Sequence, residues 1–244
     1  MIAFEPSKYA STWMIYNDRP HHTRLRGQIN RAFWVSEIEA VRPEIRRIVS
    51  AEIERLVADG AKTAFDFVED IAHPIPALVL CRMLGIPEDK IGAFIGWSDD
   101  ISAFMQDFVV SPVPDAAISE QTRGSMREMF DYLAGIIGER RANPQNDLIS
   151  RLAPQVTEEG AELDDREIIA QVIRLIFGGH KVPQFLLSNC LHLLFSHPDV
   201  LDEVRRDPER IAEVVEEACA WRGPSSTSPG TRARTSSCTG APSR

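Results

Sequence analysis

The chain has 244 residues, is 43% hydrophobic and carries a formal net charge of −9. The acidity argues against nucleic acid as the main partner, and the apolar content is enough for a substantial core. The longest apolar run, 168–179, is broken by Arg174 and followed by His180 and Lys181. It falls short of the roughly 18 residues of a membrane span.

Residues 1–17 read as irregular, with no long apolar core of a secretory signal. Trp13, Met14, Ile15 and Tyr16 are expected to pack. Asp18 is placed to cap a helix over 19–33 with Pro20 in its first turn. That helix carries Arg19, Arg24, Arg26 and Arg31 in an otherwise acidic chain. His22 and Arg26 are four apart and share one face. Two cationic donors side by side suit a carboxylate, or make a plain solvated basic face.

Trp34 to Ser36 predicts a turn. The spacing over 37–59 predicts an amphipathic helix with Ile38, Val41, Ile45, Ile48, Ile53 and Leu56 inward, ended by Gly60. A helix over 68–84 is interrupted by Pro74 and Pro76 and stopped by Gly85-Ile86-Pro87. Helices follow over 87–104 and 120–141, with a loop at 111–114, a turn at 143–146 and a helical turn at 147–152. After the long helix described next, two more cover 199–206 and 208–221. Strand signals are almost lacking, so the fold class is mainly α. Cys81 and Cys190 fall in helical patterns and read as buried thiols of a cytoplasmic protein; with Cys219 and Cys238 they form no C-x-x-C pair.

The stretch 163–198 dominates. Asp164 and Glu167 form a capping-box start. Ile168, Ile169, Val172, Ile173, Ile176, Leu187, Leu191 and Leu194 recur at helical spacing, and His197-Pro198 ends the run. About 32 residues give a rod of about 48 Å, as long as a domain. Gly178-Gly179 costs about 1 kcal/mol per glycine in a helix. Pro183 lacks the N–H that would bond the Gly179 carbonyl. That turn is either a kink needed only for packing or a groove where something flat could lie.

From Ser225 the composition changes. Residues 225–244 hold no aliphatic side chain larger than alanine and no aromatic, so they cannot bury a core and are expected to be disordered. The sharp switch resembles a reading-frame change.

Taken in order, these segments resemble the bacterial haem-thiolate monooxygenases, the cytochrome P-450 family. Asp18-Arg19-Pro20-His21-His22-Thr23-Arg24-Leu25-Arg26 is similar to the family's D-x-P-x-H-T-x-x-R of helix C, and Arg31-Ala32-Phe33 follows as expected. Leu84-Gly85-Ile86-Pro87 resembles the end of helix E, and Asp147-Leu148-Ile149-Ser150-Arg151-Leu152 the D-L-[IL]-S-x-L before helix I. The long helix resembles helix I, Ser196-His197-Pro198-Asp199 the start of helix J, and Val215-Glu216-Glu217 that of helix K. Each piece is weak alone; their order carries the resemblance. It covers about residues 13–224, a partial helical domain from about helix C to helix K with most of the family's β-sheet missing.

The resemblance implies haem as cofactor, lying against Gly178 and Gly179, with His22 and Arg26 holding its propionates. Substrate would sit near Phe177, His180 and Val182, facing the 68–112 region. The implied reaction inserts one oxygen atom from O2 into a small organic substrate, with electrons from a ferredoxin or reductase and a cysteine thiolate on the iron. The chain departs from the pattern in several places. Against A-G-x-[DE]-T-T it reads Gly178, Gly179, His180, Lys181, Val182, Pro183, so the acid is a lysine and the first threonine a valine, which relays no proton. Against E-x-x-R of helix K it keeps Glu217 and has Ala220, with Arg222 two residues late. The haem loop F-G-x-G-x-H-x-C-x-G has no counterpart beyond Cys238-Thr239-Gly240, so Cys238 is not expected to bind iron. These departures describe a truncated or frameshifted monooxygenase, an inactive remnant, or a haem-free relative that binds and activates a glycosyltransferase. The histidines His21, His22, His73, His180, His192 and His197 show no H-x-x-x-H pattern with an acidic partner, so no dedicated metal site is expected.

Overall fold

The structure, a computed structural model, describes residues 12–33, 35–58, 64–111, 113, 115–153 and 163–220. A 3₁₀ turn at Met14–Tyr16 precedes α1 (His21–Ala32) and α2 (Val35–Ala58). A π-helical turn at Val68–Ala72 leads into α3 (Pro74–Leu84), and a 3₁₀ turn at Glu88–Lys90 into α4 (Ile91–Val110). Then come α5 (Ala116–Ala142), α6 (Leu148–Leu152), the long α7 (Asp165–Ser196), α8 (Pro198–Arg206) and, after a 3₁₀ turn at Pro208–Arg210, α9 (Ile211–Ala220). The described residues contain no strand, and the mainly α expectation holds. The tail 225–244 lies outside the described residues.

Local chemistry sets most boundaries. Asp115 caps α5 by accepting from the N–H groups of Ala117 and Ile118, and Asp147 caps α6 through Ser150 N–H. The capping box of α7 is reciprocal: Glu167 N–H donates to Asp164 Oδ1 at 2.7 Å, and Asp164 N–H to Glu167 Oε2 at 3.2 Å. The interruption expected at Pro74 is a boundary between two elements: the π-helical turn ends at Ala72 and Pro74 opens α3, where its missing N–H would have had no partner. The inward stripe expected on α2 is only partly buried. Ile48 is enclosed, whereas Ile45 and Ile53 are exposed, because α2 packs against α3 and the π-helical turn and leaves its other sides to water.

The chain forms two compact units, one through Ser188 and one from Asn189. The core of the first joins α3 to α7: Leu84, Phe94, Ile101, Met129, Leu133, Ile137, Leu148, Ile149, Leu152, Ile168, Ile169 and Ile173 are fully enclosed. Truncating one such side chain to alanine typically costs about 2–5 kcal/mol. In the second unit Leu194, Val214 and Ala218 are buried, and Arg210 pairs with Glu203 and Glu213.

One junction brings two of the sequence motifs together. Gly85 ends α3 in the left-handed region, at φ 75°. A Cβ there would lie 2.7 Å from the Asp147 Cβ. The Arg140 side chain fills the corner, with Nε donating to Asp147 Oδ2 at 2.6 Å and Nη2 to the Gly85 carbonyl at 3.2 Å.

Candidate functional site: the glycine turn of the long helix

The segment before α1 docks on α7 through a buried glutamine. Gln171 Nε2 donates to the Thr12 carbonyl at 3.1 Å, and its Oε1 accepts from Met14 N–H at 3.2 Å. Both hydrogen-bonding ends of the amide are thus satisfied by one extended strip of backbone. Trp13 is buried beside it, its ring stacked on Phe177 with centroids 6.1 Å apart and planes 23° from parallel. Arg24 of α1 forks onto both carboxylate oxygens of Glu167, so the residue that caps α7 also holds α1 to it.

The two glycines serve different faces. A Cβ on Gly179 would meet Leu80 of α3 at 3.2 Å, so this glycine lets two helices approach closely. A Cβ on Gly178 would find only the Arg174 guanidinium, at 3.9 Å. The groove expected at Gly178-Gly179 is therefore open at Gly178 and filled at Gly179. His22 is half-buried and Arg26 exposed, and neither side chain forms a hydrogen bond or ion pair among the described residues.

The next turn of α7 enters a closed polar network. His180 is 1% exposed; its Nε2 donates to the His73 carbonyl at 3.0 Å and its Nδ1 accepts from Ser98 Oγ at 2.9 Å. Burial, then the charges of Lys181 and His73, push its pKa down to about 4. The ring is neutral, with both nitrogens engaged, and offers none to a substrate. Lys181 Nζ lies 2.5 Å from Asp99 Oδ1, which also accepts from His73 Nε2 at 3.2 Å. Burial opposes ionisation of Asp99, but the Lys181 and His73 contacts outweigh it and hold the carboxyl below its usual range. His73, Asp99 and His180 bring metal-ligand atoms within 4.8 Å of one another. The Lys181 ammonium already sits on the carboxylate and both His180 nitrogens are bonded, so the set is a closed hydrogen-bonded cluster. Sequence reasoning missed this network, since the three residues lie far apart in sequence and match no spacing rule.

Val182 is 65% exposed and Phe185, three residues on, is exposed as well; an alkyl side chain relays no proton. Glu217 and Ala220 are exposed on α9, and Arg222 lies outside the described residues. Burial pushes the Cys81 thiol up to about 12, which keeps it protonated; Cys190 is half-buried and also raised by burial, and Cys219 is exposed. Cys238 lies outside the described residues. Among the described residues no helix is long and apolar enough to cross a membrane.

Comparisons with known proteins agree on one group. The family model described as Cytochrome P450 matches residues 4–219. The chain is 33% identical over 211 residues to the cytochrome P450 monooxygenase PikC of Streptomyces venezuelae, covering 86% of this chain and 48% of the relative. It is 31% identical over 219 residues to the 6-deoxyerythronolide B hydroxylase of Saccharopolyspora erythraea, covering 90% and 51%. Among solved structures, P450BioI in complex with a fatty-acid-ligated acyl carrier protein superposes with a TM-score of 0.77 at 25% identity, over 89% of this chain and 54% of that one. The polyketide-synthase cytochrome P450 PksS of Bacillus subtilis gives 0.76 at 28% identity, over 86% and 50%. The chain spans about half the length of the curated relatives it matches.

Proposed function

The chain belongs to the cytochrome P450 family, and from that premise we propose that it is the helical part of a haem-dependent monooxygenase acting on a small organic substrate. Haem is the cofactor that membership implies. The observation that carries the reading is the open face at Gly178 in a core helix that also anchors the cationic helix α1.

The residues fit the porphyrin better than the iron. A Cβ on Gly178 would meet nothing nearer than the Arg174 guanidinium at 3.9 Å, and His22 and Arg26 stand four apart on α1 with no partner among the described residues, as propionate donors would. No described cysteine is suited to be the thiolate: Cys81 is buried and held protonated, and Cys190 and Cys219 lie in the second unit. When bound, the group supplies reductive activation of dioxygen with electrons from a ferredoxin or reductase. The chain's own contribution is positional. Trp13 and Phe177 form an apolar wall beside the open glycine. Glu167 and Gln171 fix α1 and the Trp13 segment against α7. The Lys181–Asp99 pair and neutral His180 tie the next turn to α4 and to His73 ahead of α3.

Titration of the 244-residue chain with haemin, followed through the Soret band, tests this. We expect uptake by the native chain and at least a tenfold weaker affinity for the His22→Ala/Arg26→Ala double variant, about the worth of one or two charge-assisted hydrogen bonds. Equal uptake by the two proteins overturns the propionate assignment. A second reading, a haem-free relative that binds and activates a glycosyltransferase, draws on Lys181 and Val182. They place an ion pair and an alkyl group where an acid and an alcohol are expected. It predicts no haemin uptake together with retention of a glycosyltransferase by the purified chain.

A further inference from the structure

Arg174 interrupts the apolar run of α7 one turn before Gly178. Its side chain is half-buried and its Nε is sealed from water with no acceptor. No described carboxylate pairs with it, and its Nη1 stands over the open face of Gly178. Trp13, 2% exposed and stacked on Phe177, also has an Nε1–H without an acceptor. Phe177 lies between Arg174 and Gly178 on the same turns of helix, so the ring that Trp13 stacks on neighbours Arg174 along α7.

Buried donors without acceptors are rare in native proteins, because removing their water without replacing it is unfavourable. Here both unmet groups donate and neither accepts. The ligand that completes them is therefore an acceptor, and the guanidinium selects a negative one. A carboxylate matches its planar fork in geometry and charge. The Trp13 and Phe177 rings supply the apolar surface beside it. We propose that Arg174 binds a carboxylate carried on an apolar organic body in the groove at Gly178, with Trp13 Nε1 as a second donor. The carboxylate is that of an organic-acid substrate or of the porphyrin. The proposal rests on Gly178 being the ligand-facing turn.

Isothermal titration of the 244-residue chain with decanoate and with decanamide tests it. The two probes share an apolar body and differ in charge. We expect decanoate to bind at least about tenfold more tightly than the amide, and Arg174→Leu to remove that preference while leaving amide binding in place. Arg174→Gln, which keeps a polar side chain, gives the same loss, so a folding defect in one variant leaves the other informative. Trp13→Phe keeps the stack, drops the N–H and weakens decanoate about threefold, as loss of one neutral donor does. Equal binding of the two probes to the native chain, or a preference that survives both Arg174 variants, overturns the proposal. Haemin titration of Arg174→Leu separates the sources. Unchanged haemin affinity assigns the carboxylate to substrate; a loss matching that for decanoate assigns it to the porphyrin. A decanoate preference in a chain that takes up no haemin supports the Arg174 site and removes the haem reading. Haemin uptake without any decanoate preference does the reverse.

Discussion

Two arginines on core helices show what divides structure from function in this chain. Arg140 of α5 is enclosed at the corner where α3 ends and α6 begins, and every group around it is answered. Its guanidinium donates to Asp147, Glu139 and the Gly85 carbonyl, while Asp147 accepts in turn from Ser150 N–H at 2.7 Å. Asp147, first among the causes, raises the Arg140 pKa and so holds its charge. Arg174 of α7 is half-buried beside an open glycine, its Nε sealed without an acceptor and its guanidinium paired with no described residue. The first arginine is completed by its own chain and staples the fold. The second is left for something that is not part of the described chain.

The largest effect should come from breaking the closed corner. Asp147→Ala strips Arg140 of its buried partner and α6 of its cap, and we expect a loss of about 3–5 kcal/mol, read as a lower urea midpoint at unchanged slope. A change below about 1 kcal/mol would mean that water already reaches the corner and that the two arginines differ less than their contacts show.

The polar network after Gly178 belongs with the closed kind, and pH tests it. His180 is held near 4 in the fold against an ordinary 6.5. Between those values the unfolded chain binds more protons, so stability is fully present above pH 6.5 and is lost as pH falls toward 4. The contribution is up to about 3 kcal/mol. Asp99, with its lowered pKa, adds a loss further down, below the ordinary carboxyl range. Urea midpoints between pH 7 and 4 should fall steeply for the native chain and less steeply for His180→Gln, which stays neutral. Parallel curves would show that the ring is hydrated and the network open.

Gly85→Ala tests the corner from its backbone. Alanine at φ 75° is strained, and its Cβ would press on the Asp147 side chain. A loss of about 2–3 kcal/mol is expected in the thermal midpoint or urea titration. The corresponding change at Gly178 meets open space except for the Arg174 guanidinium, and should cost only the removal of room for a ligand.

Much of the closed region could be read along the chain, because its parts are local. The capping box at Asp164 and Glu167, the stop at Gly85 and the Asp147 cap each follow from chemistry within a few residues. Pro74 marks the break in the 68–84 run, but sequence does not show that a new helix opens on it, because a proline at the first helical position and one in the interior look alike. The α2 stripe misled because periodicity shows which face is apolar, not how much of it another element covers. The site was legible only as far as it was periodic. His22 and Arg26 announce themselves by spacing, and Gly178-Gly179 by breaking the helical rule. That one glycine serves Leu80 and the other an open face depends on what lies across from each. The same holds for the Lys181–Asp99–His73 network, whose partners sit on three different parts of the chain.

The smallest expected effect discriminates best between the two arginines, because it differs in sign. Arg174→Leu fills the break in the apolar run 168–179 and removes a buried donor that has no acceptor. In the chain without ligand this should stabilise the fold by about 1 kcal/mol, the usual gain when an unmet polar group gives way to an apolar one of similar reach. Arg140→Leu makes the same chemical change where the charge is answered, and it leaves the buried Asp147 carboxylate without its cation, so it should destabilise by several times that amount. Urea titrations of both variants decide the matter. If Arg174→Leu also destabilises by 2 kcal/mol or more, the guanidinium has a structural role on α7, and the distinction between an arginine that closes the fold and one that waits for a ligand fails.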